Sequence, residues 1–447
     1  MGTGYGRRGA ATVRAVADAP APHVIRRLDG DLVVRRAEAA DIDAVVALNV
    51  EVFGPQDAPG PRALLSGGVD VEWLIVAAGP GADEPGGGTL ACACARIPLD
   101  YELDGVVLRG SQIENVTTDE RFRRRGLVRA LFDAHHERAA DAGELLQVIG
   151  GIPYFYRKLG YGYGFDVPAT IRVGPSSAPA LDTGRISVRA ARPDDVEWLL
   201  GREGTRRRDG LTVLRTRASL ETWVERTAPV EGVAWESFLV AQEAGRPVGW
   251  LRTIAWAEEA QLFLLPGEAP DLDVAGQLLA HSLVVGQELA DGIGRPLEVL
   301  ASDQPGTPWS RAIHAAGRPR PEPSGYYVRV ADPVALLTAM EPVLTRRIAA
   351  SGLAHDRGEL LLSLYDRGVL LAWEGGRVTR IEAAAPDPDP FDKGGVGVAP
   401  DWFPALALGR WGASGLAART DDTLLGDHAG EMDVLFPARP NDLAADL

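Results

Sequence analysis

Alternating apolar positions followed by apolar positions at helical spacing occur twice in the first 330 residues. Leu32-Val33-Val34-Arg35-Arg36-Ala37 leads into a periodic segment that starts at Asp41 and carries Ile42, Val45, Val46 and Asn49. Ile186-Ser187-Val188-Arg189-Ala190-Ala191 leads into another that starts at Asp195 and carries Val196, Leu199 and Leu200. A period of two predicts a strand, spacings of three and four predict a helix, and an Asp at the junction predicts an N-cap. The parallel continues with predicted strands 73–77 and 89–97 around the Gly/Pro-rich stretch 79–88, a hairpin with a flexible tip. In the second copy, strands 238–241 and 248–254 flank Glu243-Ala244-Gly245-Arg246. Both copies then reach a long predicted helix, 127–142 and 274–290. Gly174-Pro175-Ser176-Ser177-Ala178-Pro179 between them reads as a linker.

After Tyr326-Tyr327-Val328 the pattern changes. A helix is predicted over 334–349, short strands over 359–365, 369–373 and 378–381, a Pro/Asp/Gly loop over 386–397, and a short helix over 402–411. The expected organisation is an N-terminal arm (1–30), a first domain (31–173), a degenerate second copy (185–330) and a third α+β domain (331–447). A chain of 447 residues is too long for one ordinary core, in keeping with that division. The arm carries Arg7, Arg8, Arg14, Arg26 and Arg27 among Ala, Gly and Pro, without the apolar run of a signal peptide. It reads as disordered, and the chain as cytoplasmic.

With 46% hydrophobic and 24% charged residues the composition is globular, and no stretch is apolar for the length that crosses a membrane. The net charge of −16 disfavours a nucleic-acid partner and favours cationic substrates, whose concentration an acidic field raises. Cys92 and Cys94 are the only cysteines, two apart, so on a strand they share a face. They read as buried free thiols, and no metal site is expected.

The densest chemistry lies between strand and helix. Ile113-Glu114-Asn115-Val116-Thr117-Thr118 is a predicted strand and Leu127 opens a predicted helix; Asp119-Glu120-Arg121-Phe122-Arg123-Arg124-Arg125-Gly126 joins them. A helix N-terminus offers unpaired N–H groups and partial positive charge, and so suits a pyrophosphate. Glycine allows close backbone approach, and arginines add charge-assisted hydrogen bonds.

Residues 32–170 resemble the GNAT superfamily of N-acetyltransferases, since Arg123-x-x-Gly126-x-Val128 is similar to its Arg/Gln-x-x-Gly-x-Gly/Ala signature. Val128 departs from the small final residue. Asn115-Val116-Thr117-Thr118, the Arg-Arg-Arg-Gly-Leu run and Tyr154-Phe155-Tyr156-Arg157-Lys158-Leu159-Gly160-Tyr161-Gly162 resemble, more narrowly, the Eis-type (enhanced intracellular survival) acetyltransferases. The resemblance implies an α+β architecture of tandem GNAT-like domains, each a mixed central sheet flanked by helices, followed by a sterol-carrier-like domain. It implies acetyl-CoA as acyl donor, with the backbone of Val116, Thr117 and Thr118 holding the pantetheine arm. Arg123, Arg124, Arg125, Gly126, Leu127, Val128 and Arg129 would wrap the pyrophosphate. The second copy has only acidic, apolar and Pro residues over 262–276, so it reads as a scaffold.

Amide formation from a thioester needs a neutral amine, a polarised carbonyl and a proton for the leaving thiolate. Tyr156 is the candidate proton donor, as the Eis-type pattern implies, because a phenol's reference pKa lies about 1–2 units above a thiol's. Alternatively Tyr154, Phe155, Tyr156, Tyr161 and Tyr163 are an aromatic packing cluster. Glu114, two residues before Val116 and expected on the same face, is the candidate base; the alternative is a partner for a nearby Arg. Eis-type enzymes use the terminal carboxylate for this step, but the polar ending at Leu447 departs from their pattern. His135 and His136 read as surface or cap residues. Trp402, Phe403, Leu406, Leu408 and Trp411 suit a lipid pocket or a packed core. The predicted activity is N-acetylation of a primary amine on a small cationic or peptide substrate by a homo-oligomer. The alternatives are a non-catalytic acyl-CoA-binding protein and a lipid-binding module. Loop 53–68 is expected to shape the acceptor pocket.

Overall fold

The computed structural model describes residues 23–442, apart from 55–70, 153, 168, 175–176, 178, 180–183, 207–209, 226–234, 257–259, 321–324 and 391. The loop 53–68 and the Leu447 carboxylate therefore fall largely or wholly outside the described residues, as does the arm up to residue 22.

The rest of the predicted arm is a strand. β1 (Val24–Leu28) pairs antiparallel with β2 (Leu32–Arg36) across an Asp-Gly-Asp turn in which Gly30 and Asp31 have positive φ. The hairpin signal was there in Leu28-Asp29-Gly30-Asp31-Leu32, masked by the basic residues beside it. Then follow α1 (Ile42–Phe53), β3 (Glu72–Ala78), β4 (Thr89–Leu103), β5 (Val106–Thr118), α2 (Leu127–Asp141), β6 (Leu146–Ile149) and β7 (Gly162–Asp166). Val45 and Leu48 of α1 pack on one face of this sheet, against Trp73, Ile75, Ala93 and Ala95. Leu131 and Phe132 of α2 pack on the other, against Leu74, Val76 and the free thiols Cys92 and Cys94. Each fully buried Val, Leu, Ile or Phe among them contributes about 1.5–3 kcal/mol.

The tip of the 79–88 hairpin is docked rather than loose. Arg35 and Asp41 form a buried bidentate pair at 2.7 Å; Arg35 also donates to the Ala82 carbonyl, and Asp41 accepts from the Gly86 N–H. Asp41 therefore does not cap α1 with its side chain, contrary to the N-cap expectation. Burial raises its pKa, but the hydrogen bonds from Arg35, Glu38 and Gly86 outweigh that and hold the carboxyl below its ordinary value.

The first copy ends in β8 (Thr170–Val173), and the second contains β9 (Ile186–Ala190), α3 (Val196–Arg206), β10 (Leu211–Val213), α4 (Arg217–Glu225), β11 (Trp235–Glu243), β12 (Arg246–Trp256) and β13 (Gln261–Glu268). α5 (Leu272–Ile293), β14 (Glu298–Ser302), α6 (Pro308–Ala316), β15 (Gly317–Arg320) and β16 (Gly325–Arg329) complete it. The sheets do not respect the linear boundaries at 173 and 330. The first runs β1-β2-β3-β4-β5-β6-β16-β7 and the second β15-β8-β14-β13-β12-β11-β9. The first copy thus donates β8 to the second sheet, between β14 and β15, and the second donates β16 to the first, between β6 and β7, so that both edges of each are paired. β10 of the second copy also joins the first sheet, along the far end of β4.

The third unit has α7 (Pro333–Ala339), α8 (Glu341–Ala349), β17 (Arg357–Ser363), β18 (Gly368–Glu374), β19 (Arg377–Ala384), β20 (Val396–Val398), α9 (Phe403–Ala407), α10 (Ala413–Ala417), β21 (Thr423–Leu424), α11 (Ala429–Leu435) and β22 (Asn441–Asp442). The single helix expected over 334–349 is broken at Met340, because Pro342 lacks the N–H that would continue the ladder. The predicted helix over 402–411 is regular only over Phe403–Ala407. Phe403, Leu406 and Leu408 are core, in one cluster with Tyr101, Leu103 and Leu108 of the first sheet. Among the described residues no helix is long and apolar enough to cross a membrane.

Candidate active site

β5 pairs with β6 only from Gly110 to Ile113, opposite Leu146 to Ile149. Residues 114–118 continue along β4 alone, so their β6-facing edge is open. Asn115 has φ 50° and the register slips between Ala93 and Ala95, which lie opposite Thr117 and Glu114. The extra residue of this bulge breaks the alternation. Glu114 and Thr117 share a face, whereas Val116 packs with the α2-side core. The expected common face of Glu114 and Val116 is thereby overturned.

Thr117 is fully buried, and its hydroxyl has no partner among the described residues. The Thr118 hydroxyl lies 3.3 Å from the Cys92 thiol. What this stretch offers a ligand is chiefly its open backbone edge.

The basic loop is shaped by Asp119, whose carboxylate accepts from the Arg121 N–H at 2.8 Å and opens a 3-10 turn over Glu120–Phe122. Arg124 and Gly126 both take left-handed conformations, at φ 65° and 76°. The first backbone hydrogen bond of α2 runs from Ala130 N–H to Gly126 C=O, so the N–H groups before Ala130 are free of the helix ladder. A Cβ on Gly126 would meet nothing within 4 Å, so conformation rather than space calls for glycine there. Arg123, Arg124 and Arg125 are exposed, and Arg123 lies 3.6 Å from Glu120. Leu127 is core and Val128 packs beside it, leaving their backbone to the loop. Arg129 donates to the Lys158 carbonyl at 2.8 Å and so ties the start of α2 to the turn Tyr156–Leu159. Free N–H donors, left-handed loop residues and an open strand edge are the features that fit a pyrophosphate and a pantetheine arm.

Tyr156 is 5% exposed, its ring stacked 6.0 Å from Phe132. Its hydroxyl lies 3.7 Å from where a Cβ on Gly151 would stand, just past the end of β6. Burial, then the nearby Cys94 and Glu114, push the phenol above its ordinary value, so it stays protonated. Tyr154 is exposed and stands outside the packing cluster that Tyr156 and Tyr161 join, whereas Phe155 meets the Tyr156 ring edge-on at 5.3 Å from the cluster's rim.

The Glu114 carboxylate accepts from Gln112 at 2.7 Å rather than pairing with a loop arginine. Burial pushes its pKa up to about 7, against the hydrogen bonds from Gln112 and the Asn115 backbone. β22 runs parallel to β10, which lies antiparallel to β4, so Asn441–Asp442 heads along β4 toward the bulge.

His135 is fully buried, and burial pushes its pKa down to about 3. His136 falls to about 3 as well, by burial and then by Arg329. Neither is a cap: Leu127, Leu131, Ala134 and His135 are all buried on α2, at the spacing of its core-facing stripe. Tyr327 and Arg329, delivered by β16, adjoin the Tyr156 turn and had no local sequence signal.

In the second copy β14 pairs with β13 only as far as Leu264. Here Asp271 caps the following helix, accepting from the Val274 N–H at 2.8 Å. A carboxylate therefore already takes up one of the free N–H groups at this helix N-terminus.

The splayed strand, the basic left-handed loop and the helix behind it all lie in the stretch of chain that matches a known acyltransferase domain. Residues 33–164 match the family model of the acetyltransferase (GNAT) domain, so the chain carries such a domain. No curated protein matches the sequence. Among solved structures, a GCN5-related N-acetyltransferase from Kribbella flavida is 18% identical with a TM-score of 0.58, covering 92% of this chain and 98% of that one. A GCN5-related N-acetyltransferase from Anabaena variabilis is 11% identical, at a TM-score of 0.64 and coverage of 92% and 98%. Eis1 from Mycobacterium abscessus is 16% identical, at 0.59 and the same coverage. The chain shares their fold over about nine-tenths of its length.

Proposed function

We propose that the protein is an acetyl-CoA-dependent N-acetyltransferase acting on a primary amine of a small cationic molecule or peptide, by direct attack in a ternary complex. The observation that carries this reading is the open edge of residues 114–118 beside the unpaired N-terminus of α2. The loop from Arg123 to Arg129 holds the pyrophosphate, and the backbone of Val116, Thr117 and Thr118 holds the pantetheine. Bound acetyl-CoA supplies the acetyl group as an activated thioester. Glu114, as carboxylate, takes the proton of the attacking amine through water, and its pKa near 7 suits that exchange. Tyr156, held protonated by burial, gives its proton to the departing sulfur.

Free-thiol release over a panel of amines tests the assignment. Tyr156→Phe is expected to lower kcat by about 10²-fold or more while acetyl-CoA still raises the melting temperature. Unchanged turnover removes Tyr156 from the chemistry. No thiol release with any amine, alongside retained acetyl-CoA binding, favours a non-catalytic acyl-CoA-binding protein.

A further inference from the structure

We propose that Tyr327, on the strand the second copy donates to the first sheet, is a positioning residue for Tyr156 and acts through the backbone at Tyr154. The proposal rests on the assignment of Tyr156 as proton donor. Tyr154 has φ 68°, a left-handed conformation that a bulky residue keeps only when its surroundings enforce it. Its ring cannot be the anchor, since Tyr154 is 58% exposed.

The anchor is the Tyr327 hydroxyl, which accepts the Tyr154 N–H at 2.9 Å. The Arg157 guanidinium adds a weaker restraint, 4.9 Å from the Tyr154 ring centroid. Tyr327 is itself 5% exposed, with its ring 6.1 Å from that of Tyr156 and 5.6 Å from that of Tyr163. One side chain thus touches the ring of the proton donor and fixes the chain two residues before it. Tyr327 is well held, because β16 is paired on both sides, with Ile149 of β6 and Tyr163 of β7 opposite it.

Without the hydroxyl, the Tyr154 N–H loses its partner and the left-handed turn loses its restraint. The entry into the turn Tyr156–Leu159 then relaxes and carries the phenol away from the sulfur it must reach. Small displacements of a reacting group are costly in rate. The second copy, whose long helix is capped by its own Asp271, acts on the chemistry of the first through this strand.

Tyr327→Phe removes the hydroxyl and keeps the buried ring. In the full-length protein kcat is expected to fall about three- to tenfold, the worth of one hydrogen bond. KM for acetyl-CoA and the melting temperature should stay near wild type. In a Tyr156→Phe background the same change should lower kcat no further, since its effect passes through Tyr156. Wild-type kcat in Tyr327→Phe, with Tyr156→Phe impaired, overturns the proposal and leaves the proton donor standing. Additive losses in the double variant overturn it too. So does a parallel fall of melting temperature and acetyl-CoA affinity, the mark of a purely structural residue. Full turnover in Tyr156→Phe removes the reading beneath it.

Discussion

At the scale of single residues, the proposed role of Glu114 as base sets activity against stability. Its folded-state pKa of about 7 lies above the ordinary 4.5, so between those values the folded chain holds a proton that the unfolded chain has released. Stability from this group is present below pH 4.5 and declines as pH rises to about 7, by roughly 3 kcal/mol as an upper bound. Activity runs the other way, because only the carboxylate accepts a proton. Glu114→Gln should therefore melt higher than wild type at pH 8, match it in strongly acidic buffer, and lose the acid limb of the pH–rate profile. A variant that keeps this limb places the base elsewhere. The sequence offered Glu114 by proximity to the loop; the bulge at Asn115, which turns its side chain away from that of Val116, had no sequence signature.

At the scale of elements, the internal repeat extends to side-chain geometry. Arg35 with Asp41, and Arg189 with Asp195, form bidentate pairs six residues apart at each strand–helix junction. In both, the Asp also accepts a backbone N–H, from Glu38 or Arg192. Their environments differ: the Arg35 side chain is 1% exposed and the Arg189 side chain 21%. Breaking a buried pair strands a charge, whereas a partly solvated one is replaced by water. Asp41→Asn is expected to cost about 3 kcal/mol or more in urea unfolding. Asp195→Asn should cost about 1 kcal/mol. Equal losses would contradict the view that burial sets the value. The alternating and helical periods identified both junctions, but an Asp before a helix reads as a cap until the strand's Arg is seen to reach it.

At the scale of the molecule, the three units are not separable. The first two exchange strands, and the third shares a continuous core with the first. Asp104, at the turn between β4 and β5, accepts the Gly210 N–H at 2.8 Å and pairs with Arg347 at 2.7 Å and Arg439 at 3.1 Å, joining all three. The Tyr163 ring stacks 4.3 Å from Trp402, and Arg157 pairs with Asp401, so the third unit also braces the turn that carries Tyr156. A chain ending at residue 330 would expose Tyr101, Leu103, Leu108, Leu146 and Val148 to water. It should aggregate or elute as an expanded species in size exclusion; a compact monomer that binds acetyl-CoA would refute this dependence.

What depends on short range was legible in the chain itself. Periodicity placed the long helices and the hairpins, glycine and arginine marked the basic left-handed loop before α2, and the repeat pointed to two related halves. Local chemistry suffices there, because a helix stripe, a left-handed glycine and a helix N-terminus are properties of neighbouring residues. Tertiary structure alone decided the reciprocal strand exchange, the docking of the 79–88 tip, the burial of His135 and the hold of Tyr327 on the Tyr156 turn. Each joins residues far apart in the chain, and pairing of that kind is set by which edges and faces remain unsatisfied once the local elements have formed.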